Sequence, residues 1–307
     1  MPHVLTLAAP AGALSARSVS SVRAALERIG AVVGAPDWLA PDEAADLPFD
    51  DLAIEQADAA ARGALGDEAV DAVAQPAEGR RKKLLLADMD STIVTTETLD
   101  ELAARAGLKD RVADITRRAM NGELDFPTAL AERVGMLAGL PVSALESTWK
   151  GTEMTPGAAE LVATMRADGA RCVLVSGGFT FFTGRVAERL GFHEHHSNTL
   201  LTQDGKLTGR VAEPILDRDA KLATLKRSAA DLGLPLSCTL AVGDGANDLD
   251  MLRAAGLGVA FRAKPIVAAA ARARVDHSGL RALLYAQGFR TPDILSAGQV
   301  RARAQPR

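Results

Sequence analysis

The sequence predicts an α/β protein with three parts: a doubly wound parallel sheet, a helical cap inserted after the first strand of that sheet, and a small N-terminal α/β module. Short and almost wholly apolar runs recur from residue 84 onward, with helix-period stretches between most of them. Such runs are typical of parallel strands that are buried on both faces. Three of the runs end in polar residues that could take part in catalysis, and the carboxyl ends of parallel strands share one edge of a sheet.

Length and charge restrict the classes of function. The chain has 307 residues, enough for one large domain and a smaller one, and a formal net charge of -4. This charge gives no reason to expect nucleic acid or an anionic membrane as a partner. No apolar run approaches the roughly 20 residues that span a bilayer. Cys172 and Cys238 lie in aliphatic runs and are expected to be buried and reduced. We expect a cytoplasmic protein with a small-molecule substrate, and the sequence leaves a homodimer open.

The first 78 residues carry no recognisable chemistry and predict a small α/β module. Its expected elements are a strand at His3–Ala8, a helix at Ser18–Arg28, a second strand near Ala31 and a helical stretch at Ile54–Val73. The polar segment Ala74–Lys83 ends in four consecutive cations and predicts a solvated linker, and residues 79–83 are assigned as the link between the two domains.

The core is expected to cover residues 84–289, and residues 290–307 to form a loosely ordered tail. Its predicted strands are Leu84–Ala87, Cys172–Val175, Thr239–Val242 and Gly256–Phe261. The insertion 94–157 is too long for a simple crossover. It predicts helices at Leu99–Ala106, Lys109–Asn121 and Pro127–Ala138, which would form a cap over the strand edge.

Asp88 and Asp90 follow the first core strand directly. An isolated pair of this kind would more simply be a helix N-cap and its neighbour. Here the full string is DMDST, which resembles the first motif of the haloacid dehalogenase superfamily, D-x-D-x-[TS]. The resemblance implies that Asp88 is a nucleophile and Asp90 a general acid/base. Two carboxylates facing a phosphate dianion would repel it, so a divalent cation is required, and hard oxygen ligands suit Mg²⁺.

The stretch Gly243–Asp248, GDGAND, is the second source of acids. It could be taken for a dinucleotide-binding G-x-G-x-x-G, but Asp248 stands in place of the third glycine. By resemblance to the superfamily's fourth motif, Asp244 joins Asp88 and Asp90 as a metal ligand. Asp248 then orients the metal or its water, and Asn247 contacts substrate.

Ser176 and Lys221 complete the expected catalytic set. The neighbours of Ser176 do not form the G-x-S-x-G of a serine hydrolase. The resemblance makes Ser176 a phosphate-binding hydroxyl, with Gly177 allowing a main-chain N–H to approach. Lys221 could equally form an exposed i, i+4 pair with Asp217. Its place between two motifs resembles that of the superfamily's phosphate-neutralising lysine, with Lys226 as the alternative.

Two further groups of polar residues lie outside these motifs. His193, His195 and His196 predict a polar surface loop. In the cap, Arg133 could clamp a carboxylate bidentately and Glu97 could accept an ammonium, although most such residues are helix-surface charges.

Residues 84–285 as a whole resemble phosphoserine phosphatases. The matching strings are DMDST, then DELAARAG (100–107), RAMNG (118–122), DF (125–126) and ERV (132–134) in the cap, and VSGGF, GDGANDLDML and AFRAKP further on. The resemblance implies a Rossmann-like core and Mg²⁺-dependent hydrolysis of O-phosphoserine through an aspartyl-phosphate, the last step of serine biosynthesis. It also implies that Glu97, Arg133, Met120 and Phe126 contact substrate. The N-terminal module lies outside the resemblance, and an ACT-like identity for it is an analogy with bacterial members that carry such an extension.

Three alternatives remain open. The same residues could pass the phosphoryl group to a small alcohol instead of water, or act on another small phosphomonoester. The chain could also be a non-catalytic amino-acid sensor, although an inert domain has no need of Asp88, Asp90, Ser176, Lys221 and Asp244 together.

Overall fold

The computed structural model describes residues 1–120, 124–295 and 299. The N-terminal module consists of β1 (His3–Ala8), α1 (Ala16–Arg28), β2 (Val32–Val33), β3 (Asp37–Ala40), β4 (Ala44–Asp50), α2 (Ile54–Leu65) and β5 (Asp71–Pro76). Its antiparallel sheet has the order β2-β4-β1-β5, and β3 also pairs with β4. With β2 and β3 counted as one broken strand, this is the βαββαβ arrangement of ferredoxin-like folds. An ACT-like identity for the module stays a prediction.

Both faces of this small sheet are covered. Side chains alternate along a strand, so Leu5 and Leu7 of β1 pack with Leu47 of β4 in the cluster beneath α1 and α2. Ala8 and Ala44 face the other way and belong to the main hydrophobic core of the molecule. The module is therefore packed against the larger domain through the second face of its sheet.

Two predictions for the module are wrong in detail. The helix expected at Ile54–Val73 ends at Leu65, where Gly66 takes a positive φ of 55°, and residues from Asp71 onward form β5. Alanine and valine in that stretch suit either a helix or a strand. Residues from Asp71 onward form a strand because they pair with the edge of β1. The first residues of the expected linker therefore belong to β5. The domain limits at 78 and 83 stay predictions.

Two charges of the cationic run 80–83 are not solvated as the linker prediction implies, because Arg80 contacts the module and Lys82 contacts the core. Arg80 Nη1 donates to Oδ2 of the buried Asp46 at 2.7 Å, while Thr6 Oγ1 donates to the other oxygen. The ammonium of the buried Lys82 donates to the main-chain carbonyls of Gly79 and Ser237. Polar side chains in this run thus fasten the module to the core.

Replacing Arg80 by Ala is expected to lower the free energy of unfolding by about 3 kcal/mol, because it leaves the Asp46 carboxylate buried without its cation. Lys83→Ala is the matched control. Lys83 pairs with Asp168 at the surface, with 45% of its side chain exposed, and such pairs contribute at most about 1 kcal/mol. Urea denaturation of both variants measures the difference, and equal losses would contradict the buried-pair explanation.

The larger domain is built on a six-stranded sheet of order β13-β12-β11-β6-β7-β8, all of whose pairings are parallel. Its strands are β6 (Leu84–Asp88), β7 (Arg171–Phe179), β8 (Glu194–Asn198), β11 (Thr239–Gly243), β12 (Leu257–Phe261) and β13 (Ala273–Val275). Between β8 and β11 lies a hairpin, β9 (Leu200–Gln203) and β10 (Lys206–Val211). The predicted doubly wound α/β class is confirmed, and each of the four strands predicted for the core is present.

Helices cover both faces of the sheet and form the cap. The cap helices are α3 (Thr98–Arg105), α4 (Lys109–Met120), α5 (Phe126–Gly135) and α6 (Ser143–Lys150). The remaining helices are α7 (Ala158–Ala167), α8 (Thr180–Leu190), α9 (Arg218–Asp231), α10 (Leu249–Ala254), α11 (Pro265–Ala270) and α12 (Ala282–Ala286). Sequence reasoning missed α6. Asn121, the expected end of the second cap helix, lies outside the described residues, as do 296–298 and 300–307 of the expected tail.

The cap leaves and re-enters the core along two adjacent segments. Val94 and Met154 form an isolated antiparallel bridge, and the N–H of Thr155 donates to Ile93. The β9–β10 hairpin also holds the cap, since Leu207 exchanges main-chain hydrogen bonds with Gly139 and Leu140.

The histidines do not form the predicted surface loop. His195 and His196 belong to β8, the edge strand, and His193 Nδ1 accepts from the N–H of Cys172 at 3.0 Å. Parallel pairing with β7 gives this polar stretch its strand conformation. Within the described residues, none of the helices has the length and apolar character needed to cross a membrane.

Candidate active site

The catalytic candidates meet at one edge of the six-stranded sheet. Asp88 ends β6, Ser176 lies in the last part of β7, and Asp244 follows β11 directly. The strands are neighbours in register, with Asp88 opposite Val175 and Ala87 opposite Val242. Three segments distant in sequence are therefore brought together because parallel strands all end on the same side.

Lys221 is held at the centre of this group. Its ammonium donates to Asp88 Oδ1 and to Asp248 Oδ1, each at 2.6 Å, and 1% of its side chain is exposed. Burial alone would lower the pKa of Lys221, but the charges of Asp248 and Asp88 raise it, so the ammonium stays charged. The alternative of a surface pair with Asp217 is wrong, since Asp217 caps α9 instead. Lys226, the alternative lysine, is exposed.

Three carboxylates could share a cation at this edge. Ligand oxygens of Asp88, Asp244 and Asp248 lie within 4.8 Å of one another. Burial and the neighbouring charge of Asp248 raise the pKa of Asp88 well above its usual range and the pKa of Asp244 to about 7. Mutual repulsion in a buried site is what a divalent cation relieves, and carboxylate oxygens are hard ligands. The residues present therefore fit a magnesium ion.

Asp248 has both carboxylate oxygens engaged by protein donors. Oδ1 accepts from Lys221, and Oδ2 accepts from the N–H of Gly245 at 2.9 Å. A Cβ on Gly243 would lie 2.4 Å from Asp248 Cγ, so only glycine leaves space for this carboxylate. These contacts suit the orienting role expected for Asp248. Asn247 is half-buried beside Gly245, in the same turn.

Asp90 is separated from the acid cluster by the direction of its side chain. Oδ1 accepts from the N–H of Thr98 at 2.8 Å, and Oδ2 accepts from the Ser176 hydroxyl at 3.1 Å. Burial and the charge of Glu97 raise the pKa of Asp90 to about 6. A carboxyl that titrates near neutral pH can both give and take a proton. Each carboxylate oxygen of Asp90 thus has a protein donor, and a role for Asp90 as a metal ligand stays a prediction.

The turn after β6 places Asp90 in this position. Ser91 adopts the left-handed region, with φ at 53°, which is uncommon for a residue with a side chain. On the facing strand, the Ser176 hydroxyl also accepts from the N–H of Gly178 at 2.8 Å. A Cβ on Gly178 would lie 2.8 Å from Asp90 Oδ2. The close approach of these two strands' ends therefore requires glycine at position 178.

The cap brings some of its predicted residues to the same edge. Phe126 packs closely against Gly177. A Cβ at position 177 would lie only 3.1 Å from the phenyl ring. Glu97 precedes α3 and accepts from the Ser91 hydroxyl at 2.9 Å. The half-buried Arg133 has its pKa lowered by burial and partly restored by the charges of Asp100 and Glu97, which places its guanidinium among cap acids. Met120 ends α4, and its side chain lies outside the described part of the chain.

Sequence reasoning missed two residues beside this site. Thr92 is fully buried and donates to Asp244 Oδ1 at 3.4 Å. Lys264 follows β12, its N–H donates to the Asp244 carbonyl, and its charge lowers the pKa of both Asp244 and Asp100. The signal that could have found them is their place in DMDST and AFRAKP, two strings that carry the family resemblance. Only the fold shows that AFRAKP approaches the acid cluster.

Comparison with known protein sequences identifies the haloacid dehalogenase family. The family model for haloacid dehalogenase-like hydrolases matches residues 85–253. A phosphoserine phosphatase from Streptomyces coelicolor is 46% identical over 218 residues, which cover 71% of this chain and 53% of that protein. The chain thus corresponds to about half the length of this relative.

Solved structures agree with the sequence matches. A HAD family hydrolase from Salmonella enterica serovar Typhi superposes with a TM-score of 0.81 at 28% identity, covering 93% of this chain and 98% of that one. A phospho-aspartyl intermediate analogue of phosphoserine phosphatase has a TM-score of 0.63 at 41% identity, covering 67% and 98%. The first match spans most of this chain and the second about two thirds of it. From its matched residues, its sheet and its acid cluster, the chain belongs to the haloacid dehalogenase-like hydrolase family.

Proposed function

We propose that this chain hydrolyses O-phosphoserine to serine and phosphate, with Mg²⁺ as cofactor and a phospho-aspartate on Asp88 as intermediate. The observation that carries the proposal is the buried arrangement of Lys221 between Asp88 and Asp248, beside Asp244. If Lys221 served only a structural ion pair, there would be no need for Asp244, a further carboxylate with a raised pKa, beside it. The naming of the Streptomyces coelicolor relative supports phosphoserine as substrate.

The first step is attack by the Asp88 carboxylate on phosphorus. The new Asp88 O–P bond forms as the bond from phosphorus to the serine oxygen breaks, and Asp90 gives its proton to that oxygen. The Ser176 hydroxyl, which contacts Asp90, would bind the phosphoryl oxygens. Lys221 offsets the negative charge that collects around Asp88.

The second step returns the enzyme to its starting state. Asp90, now ionised, takes a proton from a water molecule as that water attacks the phosphorus of the intermediate. The Asp88 O–P bond breaks, phosphate leaves and the carboxylate is restored. When bound, Mg²⁺ would neutralise charge on the phosphoryl group. Asp88 and Asp244 would hold the ion, and Asp248 would orient it.

Recognition of the amino-acid end is assigned to the cap. Arg133 would pair with the substrate carboxylate and Glu97 with its ammonium, while Phe126 closes the pocket against Gly177. Met120, Gly177 and Asn247 stay predicted substrate contacts. The place in serine biosynthesis, the cytoplasmic location and a homodimer also stay predictions.

Release of phosphate from L-phosphoserine by the wild-type protein, with Mg²⁺ and with EDTA, tests the proposal. We expect turnover with Mg²⁺ and near-complete loss in EDTA, because repulsion among the buried acids then opposes phosphate binding. Turnover that survives EDTA would contradict the metal assignment. Faster release from a sugar phosphate than from phosphoserine would contradict the substrate. Transfer of phosphate to added homoserine would favour the phosphotransferase alternative, and no turnover at all would favour the sensor.

Replacing Arg133 by Ala is expected to raise KM for phosphoserine by roughly 10- to 100-fold, because it removes a charge-assisted hydrogen bond worth about 1.5–3 kcal/mol. Hydrolysis of p-nitrophenyl phosphate, which has no carboxylate, should change less than threefold. Arg105→Ala is the control, since Arg105 is an exposed arginine on another cap helix. Equal losses on both substrates would show that Arg133 does not read the carboxylate.

A further inference from the structure

A second cleft lies between the N-terminal module and the core, and it shares no residue with the active site. Its volume is about 290 Å³, small for a site that holds a metabolite. The walls come from the end of β1, from the segment where the cap re-enters the core, and from the loops that follow β12 and β13.

The cleft is positively charged. Arg262 and Arg281 line it, and Glu43 is the one acid among its lining residues. Arg281 is partly compensated, with Nη2 3.3 Å from Glu43 Oε2 and donating to the Tyr285 hydroxyl at 2.6 Å. Arg262 is exposed and donates only to the main-chain carbonyl of Ser278, and it has no carboxylate partner within the described residues. A guanidinium without an acid is a ready partner for an anion.

Backbone and buried polar groups support a built site. Arg262 adopts the left-handed region with φ at 44°, a conformation that costs free energy for a residue with a side chain. Ser278 is 3% exposed, and its hydroxyl has no hydrogen-bond partner in the described structure; Nε of Arg281 also lacks one. Unpartnered buried polar atoms are uncommon in proteins. Two of them occur here, on residues that line the same cleft.

The loop that carries Ser278 is held by hydrogen bonds to a residue of the N-terminal module. The buried carboxylate of Asp71 accepts from the main-chain N–H groups of Asp276, His277 and Ser278. On the other side of the cleft, the Pro156 carbonyl accepts from the N–H of Leu280 at 2.8 Å. A Cβ on Gly157 would lie 2.5 Å from the N–H nitrogen of Arg281. Hydrogen bonds and close packing therefore hold the segments that line the cleft.

The apolar part of the lining restricts the chemistry of the ligand further. Ala8, Ala9 and Pro10 of the module and Ala282 of the core all line the cleft. Their methyl and ring surfaces suit a short carbon chain, and the one acid of the lining, Glu43, is already paired with Arg281. We propose that the cleft binds a small aliphatic carboxylate, with its oxygens paired to Arg262 and Arg281 and its chain against these residues. This site is independent of the proposed catalytic function.

Titration calorimetry of the full chain with Mg²⁺ present tests the site, with butyrate as the probe. We expect a dissociation constant of about 5 mM or lower, which a ligand of six non-hydrogen atoms can reach. Arg262→Gln should weaken binding at least tenfold, and Arg262→Lys should recover part of the loss because it keeps the charge. Arg133→Gln, which alters the cap instead, should leave butyrate binding unchanged. Because Arg262 is exposed, its variants are expected to keep the melting temperature of the wild type.

Several results would overturn the proposal. Absence of heat up to 50 mM butyrate, full binding in Arg262→Gln, or loss of binding in Arg133→Gln would each show that the cleft is not the site. Equal affinity for butyramide would exclude recognition of the charge. Sulfate that binds as tightly as butyrate would show a site for inorganic anions, not for aliphatic carboxylates.

Discussion

Asp88→Asn is expected to reduce phosphate release from L-phosphoserine by at least about 1,000-fold. The amide has the size of the carboxylate but is a far weaker nucleophile, so the phospho-enzyme cannot form. The fold should tolerate the change. Burial and the charge of Asp248 hold the pKa of Asp88 well above its usual range, so replacing this carboxyl relieves repulsion. The melting temperature of the metal-free variant should therefore equal or exceed that of the wild type.

Acid quenching with ³²P-labelled substrate measures the intermediate directly. Wild type should retain acid-stable protein-bound label and Asp88→Asn should retain none. Asp250→Asn is the matched control, because Asp250 forms a pair with Arg218 at the surface of the same domain, and its turnover should stay within about twofold of wild type. Label on the Asp88→Asn protein, or a loss below tenfold, would assign the nucleophile to another residue.

Lys221→Met is expected to lower both turnover and stability. Methionine is close in size, so packing is preserved, but Asp88 and Asp248 are left buried without their common cation. Removing one partner of a buried ion pair costs roughly 3–5 kcal/mol. Loss of the charge beside the nucleophile should also reduce phosphate release by about 100-fold or more. Urea denaturation and steady-state kinetics on the same preparation measure the two effects.

Lys226→Met separates the role of position 221 from a general effect of lost charge. Lys226 lies on α9 as well, but it is exposed, and its removal should change stability by no more than about 0.5 kcal/mol. The stability loss caused by Lys221→Met should also become smaller in an Asp88→Asn background, since one of the two stranded carboxylates is then gone. Equal losses in both backgrounds would show that Asp88 and Lys221 do not interact energetically.

The strands of the core could be predicted from sequence because each is an uninterrupted apolar run next to polar residues. Leu84–Ala87 and Thr239–Val242 do not fit the pattern of amphipathic helices, and both are strands of the central sheet. In the N-terminal module, apolar runs are not separated so clearly from polar residues. Alanine-rich stretches such as 54–73 fit helix and strand equally well, and pairing with β1 decided where the helix ends. Local pattern fails where tertiary contacts choose between two acceptable structures.

The same distinction holds for charged residues. The sequence alone could not separate Lys221 from a surface ion pair or the run 80–83 from a solvated linker, because a cation looks the same in either place. The structure distinguishes them by burial and by partner: Lys221 faces two buried carboxylates, and Arg80 faces the buried Asp46.

By itself, the sequence determined the α/β class, the helical cap and the acids that end the strands, because hydrophobic period and motif spacing are local properties of the chain. Only the tertiary structure decided which partners those acids have. It directed Asp90 toward Ser176 and away from the carboxylates of Asp88, Asp244 and Asp248, and it brought Lys264 and the cap charges beside them. The physical reason is that pKa, ion pairing and metal affinity depend on distances in space and on burial, which strand order and packing set.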